Sequence, residues 1–173
     1  MMGSMEDTTE QRRAPDTAES AERARPFVRL LFFFYVLLLL YLLFFRRAGD
    51  ALGAWDDYLE AGRISLVPLA TVRRYLRALK NGRVVAIALV NLIGNFVLFL
   101  PMGAMLPLLY PSMRRTWRFV LLQTLLLLAV ESAQLILRCG SCDIDDVILN
   151  LAGALAGYLA ARLHLRRKRL AAK

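Results

Sequence analysis

The 173-residue chain has one histidine, His164, and two cysteines, Cys139 and Cys142. The lone imidazole stands at the basic end of the last apolar run, where it reads as an interfacial residue. No Ser-His-Asp set, P-loop or dinucleotide-binding glycine pattern occurs, which removes the familiar signatures of hydrolases and nucleotide-binding folds. Two thiols cannot complete a structural zinc site, and no thioredoxin-like strand pattern surrounds the C-x-x-C. A disulfide there is permitted if the loop is extracytoplasmic, and a free pair is equally compatible. Residues 1–25 lack aromatics and are polar and charged, which predicts a disordered tail. Charge itself is missing over long stretches, and with 58% hydrophobic residues this excludes an ordinary soluble domain.

The charge-free stretches define four spans. Leu30 to Phe45 carries no charge, and extension to Phe27 with Arg29 snorkelling gives a first span over 27–45. It exceeds the apolar core of a secretory signal, and Arg46 and Arg47 follow it, so an uncleaved anchor is expected. The run from Val84 to Tyr110 gives a second span over 84–107, which Pro101 and Pro107 should end or kink near Leu100. The third covers 119–137 and the fourth 144–163. The expected fold is therefore all-α: a polytopic membrane protein with an antiparallel bundle of four transmembrane helices. Residues 26–165 form the transmembrane domain and 166–173 a basic C-terminal tail.

The net charge of +9 borders the apolar runs instead of covering a soluble face, so the expected partner is membrane lipid, with no nucleic acid. Arg166, Arg167, Lys168 and Arg169 follow the last span and place the C-terminus in the cytoplasm, and four spans bring the N-terminus there too. Lys and Arg then number 13 inside and 9 outside, so the bias is shallow. Most of the outer excess, Arg73, Arg74, Arg77 and Lys80, alternates with Leu69, Val72, Leu76 and Leu79 at helical spacing. Residues 66–80 accordingly read as an amphipathic helix lying in the interface, with Ser65 and Pro68 near its start.

Polar residues inside apolar runs are costly and mark a working site. Asn91 and Asn95 share one face of the second span, Glu131 and Gln134 one face of the third, and Asp143, Asp146 and Asn150 one face of the fourth. In an antiparallel bundle these positions emerge at one end and occupy one layer. The stripe on the fourth span continues into Gly153 and Gly157, a small-xxx-small pattern for close helix approach, and Gly94 offers the same on the second. The plainer account is interhelical hydrogen bonding, worth about 0.6 to 2 kcal/mol each. An ionised Glu131 needs more: a base such as Arg138, two turns on along the same face, or water.

Asp143, Asp145 and Asp146 form the run DIDD. Their mutual repulsion would be relieved by a divalent cation or a cationic ligand group, and the alternative is capping of the fourth helix by Asp143 or Asp145.

The run NLIGNFVLFLPMG, then ESAQLILR, then DIDDVILNLAGALAGY, resembles the VanZ-like family over about residues 64–161. Before them, SLVPLATV looks like a degraded form of the family's N-L-I-P-F segment, with Ser65 and Leu69 as departures. The motif positions correspond to Asn91, Gly94, Asn95, Pro101, Gly103, Glu131, Gln134, Asp143, Asp145, Asp146, Asn150 and Gly153. The cysteine pair is not part of the pattern. The resemblance implies a multi-span protein of the bacterial cell envelope, whose namesake is associated with low-level resistance to the glycopeptide teicoplanin.

The leading functional expectation is a polar intramembrane site that binds an envelope component, such as a lipid-linked precursor, or the antibiotic itself. Its residues would be Asn91, Asn95, Glu131, Gln134, Asp143, Asp145, Asp146 and Asn150, with no cofactor beyond a possible divalent cation on the three aspartates. The rival is an intramembrane enzyme on a lipid-linked substrate with Glu131 or Asp146 as general acid or base, although no nucleophile is evident. A small transporter or proton relay is the third reading.

Overall fold

The computed structural model describes residues 26–45, 64–80 and 85–171. The tail 1–25, Arg46 and Arg47 lie outside them. Four helices are long and apolar enough to cross a membrane: α1 (Pro26–Phe45), α3 (Val85–Leu109), α4 (Thr116–Leu137) and α5 (Ile144–Ala171). Between the first two lies α2 (Ala70–Lys80). Two short strands, β1 (Ile64–Ser65) and β2 (Cys142–Asp143), pair in parallel, and a 3₁₀ turn, Pro111–Arg114, joins α3 to α4. The helical membrane bundle expected from the charge-free runs is what forms.

Most of the large side chains of α1, such as Phe33, Phe34, Leu37 and Leu38, remain exposed, as suits a lipid-facing helix. Its contacts are few and specific. Leu39 and Leu43 enter the core, and the Tyr35 hydroxyl donates to the Leu98 carbonyl at 2.7 Å. The last turn, Tyr41–Phe45, is π-helical, and there the Leu43 carbonyl accepts a bond from Gln134 Nε2 at 2.9 Å. A widened turn changes the ordinary helical pairing, and a buried side-chain amide is a suitable partner for the carbonyl it presents.

Of the two outcomes expected near Leu100, an end or a kink, the end does not occur: α3 continues through Pro101 and Pro107 to Leu109. Proline deletes a donor, but unwinding within hydrocarbon would strip further backbone groups of partners with no water to replace them. Helix α5 runs to Ala171 and so takes in most of the basic segment 166–173. Cations at a helix C-terminus meet the negative end of its dipole.

Lipid tails are as apolar as leucine, so the bundle is held chiefly by close packing. The tightest seam joins α3 to α5. A Cβ on Gly153 would fall 1.9 Å from the Phe96 carbonyl oxygen, one on Gly157 2.0 Å from that of Leu100, and one on Gly103 1.8 Å from that of Ala154. The backbones touch at all three points. Gly94 does not share this role: nothing lies within 4 Å of its Cβ position, and it faces outward. Its spacing from Asn91 and Asn95 suggested a contact that the rotation of α3 directs elsewhere.

On the other side of α5, Phe119 stacks on Tyr158 with ring centroids 4.4 Å apart. The Tyr158 hydroxyl donates to the Arg114 carbonyl at 2.8 Å, and Arg162 Nη1 reaches the same carbonyl at 3.0 Å. These bonds tie the α3–α4 turn to the basic half of α5.

Replacing Gly153 by Val should drive the backbones of α3 and α5 apart at a cost of about 1–3 kcal/mol or more. Thermal unfolding of the purified protein should show a clear loss of stability for Gly153→Val and little change for Gly94→Ala. Equal effects of the two would contradict the seam.

Candidate functional site

The acidic end of the bundle is built around α2. A helix leaves its first N–H groups without internal partners, and an acidic or hydroxyl side chain just upstream normally supplies them. Here the cap comes from 76 positions away in the chain. Asp145 Oδ1 accepts the N–H of Leu69 at 2.5 Å, and Oδ2 accepts those of Thr71 at 2.8 Å and Val72 at 3.0 Å. Leu69 is left-handed, with φ 62°, which turns the chain into this geometry. The expected start near Ser65 is thereby displaced: residues 64–65 pair as a strand with residues 142–143, and the helix begins at Ala70.

Asp143 caps α5 itself, its Oδ1 accepting the N–H of Asp145 at 2.9 Å, while Oδ2 accepts the Thr71 hydroxyl at 2.6 Å. Glu131 stands behind it. Its Oε2 accepts the backbone N–H of Asp143 at 3.1 Å, and the side chain is buried instead of facing acyl chains. The chain reaches β2 through a tight reversal in which Arg138, at φ 54°, closes α4, with Arg138 N–H donating to Leu135 and Cys139 N–H to Gln134. Arg138 is therefore the C-cap residue of α4, directly after Leu137.

Beneath α2 is a cleft of about 50 Å³, lined by Thr71 and Tyr75 of α2, Asn91, Leu92 and Asn95 of α3, Ser141 and Asp143 of the reversal, and Asp146 and Leu149 of α5. That is space for a water or two, or for the tip of a larger polar group. Asn95 Nδ2 donates to Asp146 Oδ1, and Asn91 Nδ2 donates to the Tyr75 hydroxyl at 2.8 Å. Carboxylate, amide and hydroxyl groups thus converge at one mouth, an arrangement that can hold a hydrogen-bonding or cationic head group. On the outer side of α2, Arg73, Arg74 and Arg77 are exposed beside exposed Leu66, Val67 and Leu76. Both kinds of side chain suit a helix at the lipid–water boundary.

The predicted residues therefore gather at one end but divide into separate tasks. Asn91, Asn95, Asp143 and Asp146 line the cleft; Asp145 turns up to α2; Glu131 supports β2; and Gln134 turns away to α1. Asn150 is buried deeper. Among the described residues no group of three His, Cys, Asp or Glu side chains is arranged so that it could hold a metal ion, and each of the three acids accepts from a donor on α2, on α3 or on the α5 backbone. Thr71, Tyr75 and Ser141 were not singled out from sequence. Thr71 and Tyr75 lie four apart on one helix face, a signal masked by the basic and apolar residues around them.

Cys139 and Cys142 are free thiols, the first buried. Burial, and then the charges of Glu131 and Asp143, push the Cys142 thiol above its ordinary range. A raised value keeps the group protonated and unreactive at neutral pH.

Asp145→Ala should strip three N–H groups of their acceptor and destabilise the acidic end by about 2 kcal/mol. Hydrogen exchange at Thr71 and Val72 should accelerate well beyond that at α4 amides; unchanged exchange would mean that the cap contributes nothing. For Cys142, alkylation by a water-soluble maleimide should be slow at pH 7.5 and still rising with pH beyond the range where an ordinary thiol has levelled off. Glu131→Gln removes one repelling charge, so it should move that profile to lower pH.

No curated protein and no solved structure matches the chain. A family model does: residues 32–165 match VanZ/LLP1, a stretch that includes every residue of the cleft. The chain belongs to the VanZ/LLP1 family.

Proposed function

We propose that the protein binds the polar head of a lipidic cell-envelope component, or of a lipid-bearing glycopeptide such as teicoplanin, in the cleft beneath α2. The observation that carries this reading is the placement of the cleft. It opens beside a basic, partly apolar helix at the end of the bundle, where lipid head groups lie, while its own lining is carboxylate, amide and hydroxyl. Such a lining suits sugar hydroxyls and amines, and the arginines of α2 suit a phosphate nearby. The distribution of basic residues supports a cleft facing the outer leaflet and cytoplasmic termini.

Binding is favoured over acid–base catalysis by how the carboxylates are used. Asp145 and Glu131 hold backbone N–H groups, which is scaffold chemistry, and Asp146 is engaged with an amide instead of a nucleophile.

The test is binding by the purified full-length protein in nanodiscs, using teicoplanin and a lipid-linked peptidoglycan precursor as separate probes. Saturable binding of at least one is expected, weakened about tenfold or more by Asp146→Asn with Asn95→Ala, which removes a charge and an amide donor. Failure to bind either probe would overturn the reading. Sensitivity of a deletion strain to teicoplanin checks the resistance role separately.

A further inference from the structure

A second polar feature lies deeper in the bundle, on the seam between α4 and α5. Gln123 is 0% exposed and neither of its amide atoms has a hydrogen-bond partner; Asn150 is 3% exposed and its Oδ1 has none. An amide left in this state within hydrocarbon costs several kcal/mol, about 2 to 7 on transfer scales. Two such side chains in one small bundle demand an account.

Their relative position follows from the contacts on either side. Towards the acidic end, Glu131 meets the backbone of Asp143; towards the basic end, Phe119 stacks on Tyr158. Interpolating between these anchors sets Gln123 and Asn150 roughly 4 Å apart along the bundle axis at about 1.5 Å per residue. Both belong to the buried stripes of their helices, Phe119, Gln123, Leu127 and Glu131 on α4 and Val147, Asn150, Ala154 and Tyr158 on α5. Gln123 has no bond to Asn150. Nor is the α4–α5 seam the one closed by glycine, since the backbone contacts of Gly103, Gly153 and Gly157 all join α3 to α5. Side chains of ordinary size hold α4 further off.

We infer that Gln123 and Asn150 form an internal hydration site, taking one or two water molecules between α4 and α5. Water has the required complement: its hydrogens satisfy Gln123 Oε1 and Asn150 Oδ1, and its oxygen accepts from Gln123 Nε2. Charged and apolar guests do not, because the site offers no counter-charge and its unpaired atoms are all polar. The site is distinct from the cleft, whose lining includes neither residue. Its water would join α4 to α5 among buried apolar side chains that include Leu127.

Water-edited solid-state NMR on the full chain in lipid bilayers tests this directly. The Gln123 side-chain amide, assigned by correlation to its own backbone, should receive magnetisation from water, whereas backbone amides of Leu126 to Leu128 should not. No transfer to Gln123 would overturn the proposal, and this measurement on the unmutated protein holds even if a Gln123→Leu variant fails to fold. Thermal unfolding supplies the second arm: Gln123→Leu and Asn150→Leu should each lower the melting temperature, and the double variant should lose less than the sum because the water is shared. A rise in melting temperature for Gln123→Leu, as for an amide simply stranded in an apolar core, would also overturn it.

Discussion

Three backbone N–H groups on one carboxylate hold the acidic end of the molecule together. Asp145 accepts the N–H groups of Leu69, Thr71 and Val72 and sits on the first turn of α5, so a helix at the membrane surface is fixed to a helix that crosses the membrane. Without that bond α2 would keep the β1–β2 pairing upstream and the bonds of Thr71 and Tyr75, but its first turn would lose its anchor. With it, α2 becomes a roof. The neighbouring bonds share the same placement: the Thr71 hydroxyl reaches Asp143, and Tyr75, one turn further, meets Asn91. Glu131 anchors the chain from below by accepting the N–H of Asp143. The acids of the DIDD run thus spend their charge on donors from different elements, which is why their proximity in sequence does not become mutual repulsion at one point.

The bundle divides its packing between two kinds of seam. Between α3 and α5 the glycines remove side chains altogether, and the backbones approach until dispersion alone can hold them. Such a seam tolerates no insertion, so it sets the register of Asn91 and Asn95 against Asp146 rigidly. Between α4 and α5 the contact is made through side chains, with an aromatic stack near one end, Glu131 at the other and amides between. Rigidity on one side and a polar interior on the other are compatible because α5 presents different faces to its two neighbours.

Much of this was legible in the chain, and the reasons are physical. Hydrocarbon tolerates few charges, so the four spans show themselves as largely charge-free runs; it tolerates few amides or carboxylates, so Asn91, Asn95 and Glu131 announce a gathering at one end. Period then gives the face, and Gly153 and Gly157 fall where the stripe predicts. What period cannot give is the rotation of one helix against another, and for that reason Gly94, which offers close approach by its size, meets nothing within 4 Å. Nor can local rules find a cap supplied from another helix: the start of α2 was sought in Ser65 and Pro68, whereas the acceptor is Asp145. The same rule that picked out Glu131 applies to Gln123, whose neutrality let it pass among leucines.

The division of labour among the carboxylates bears on what the cleft can recognise. Asp145 is wholly buried and its oxygens serve α2, and Glu131 is buried behind β2, so neither presents charge to an incoming ligand. Asp143 and Asp146 do line the cleft, but Asp143 is already divided between Thr71 and the α5 backbone. Asp146 lines the cleft beside the Asn95 amide that donates to its carboxylate, so on the proposed reading a cation or a row of hydroxyls suits the cleft better than an anion does. Any phosphate on the same ligand would have to remain outside, beside Arg73, Arg74 and Arg77 on the outer side of α2. On the proposed reading the arrangement would select by the order of groups along a molecule, donor inward and anion outward, and a head group at the membrane surface can meet both requirements while its tail stays in lipid.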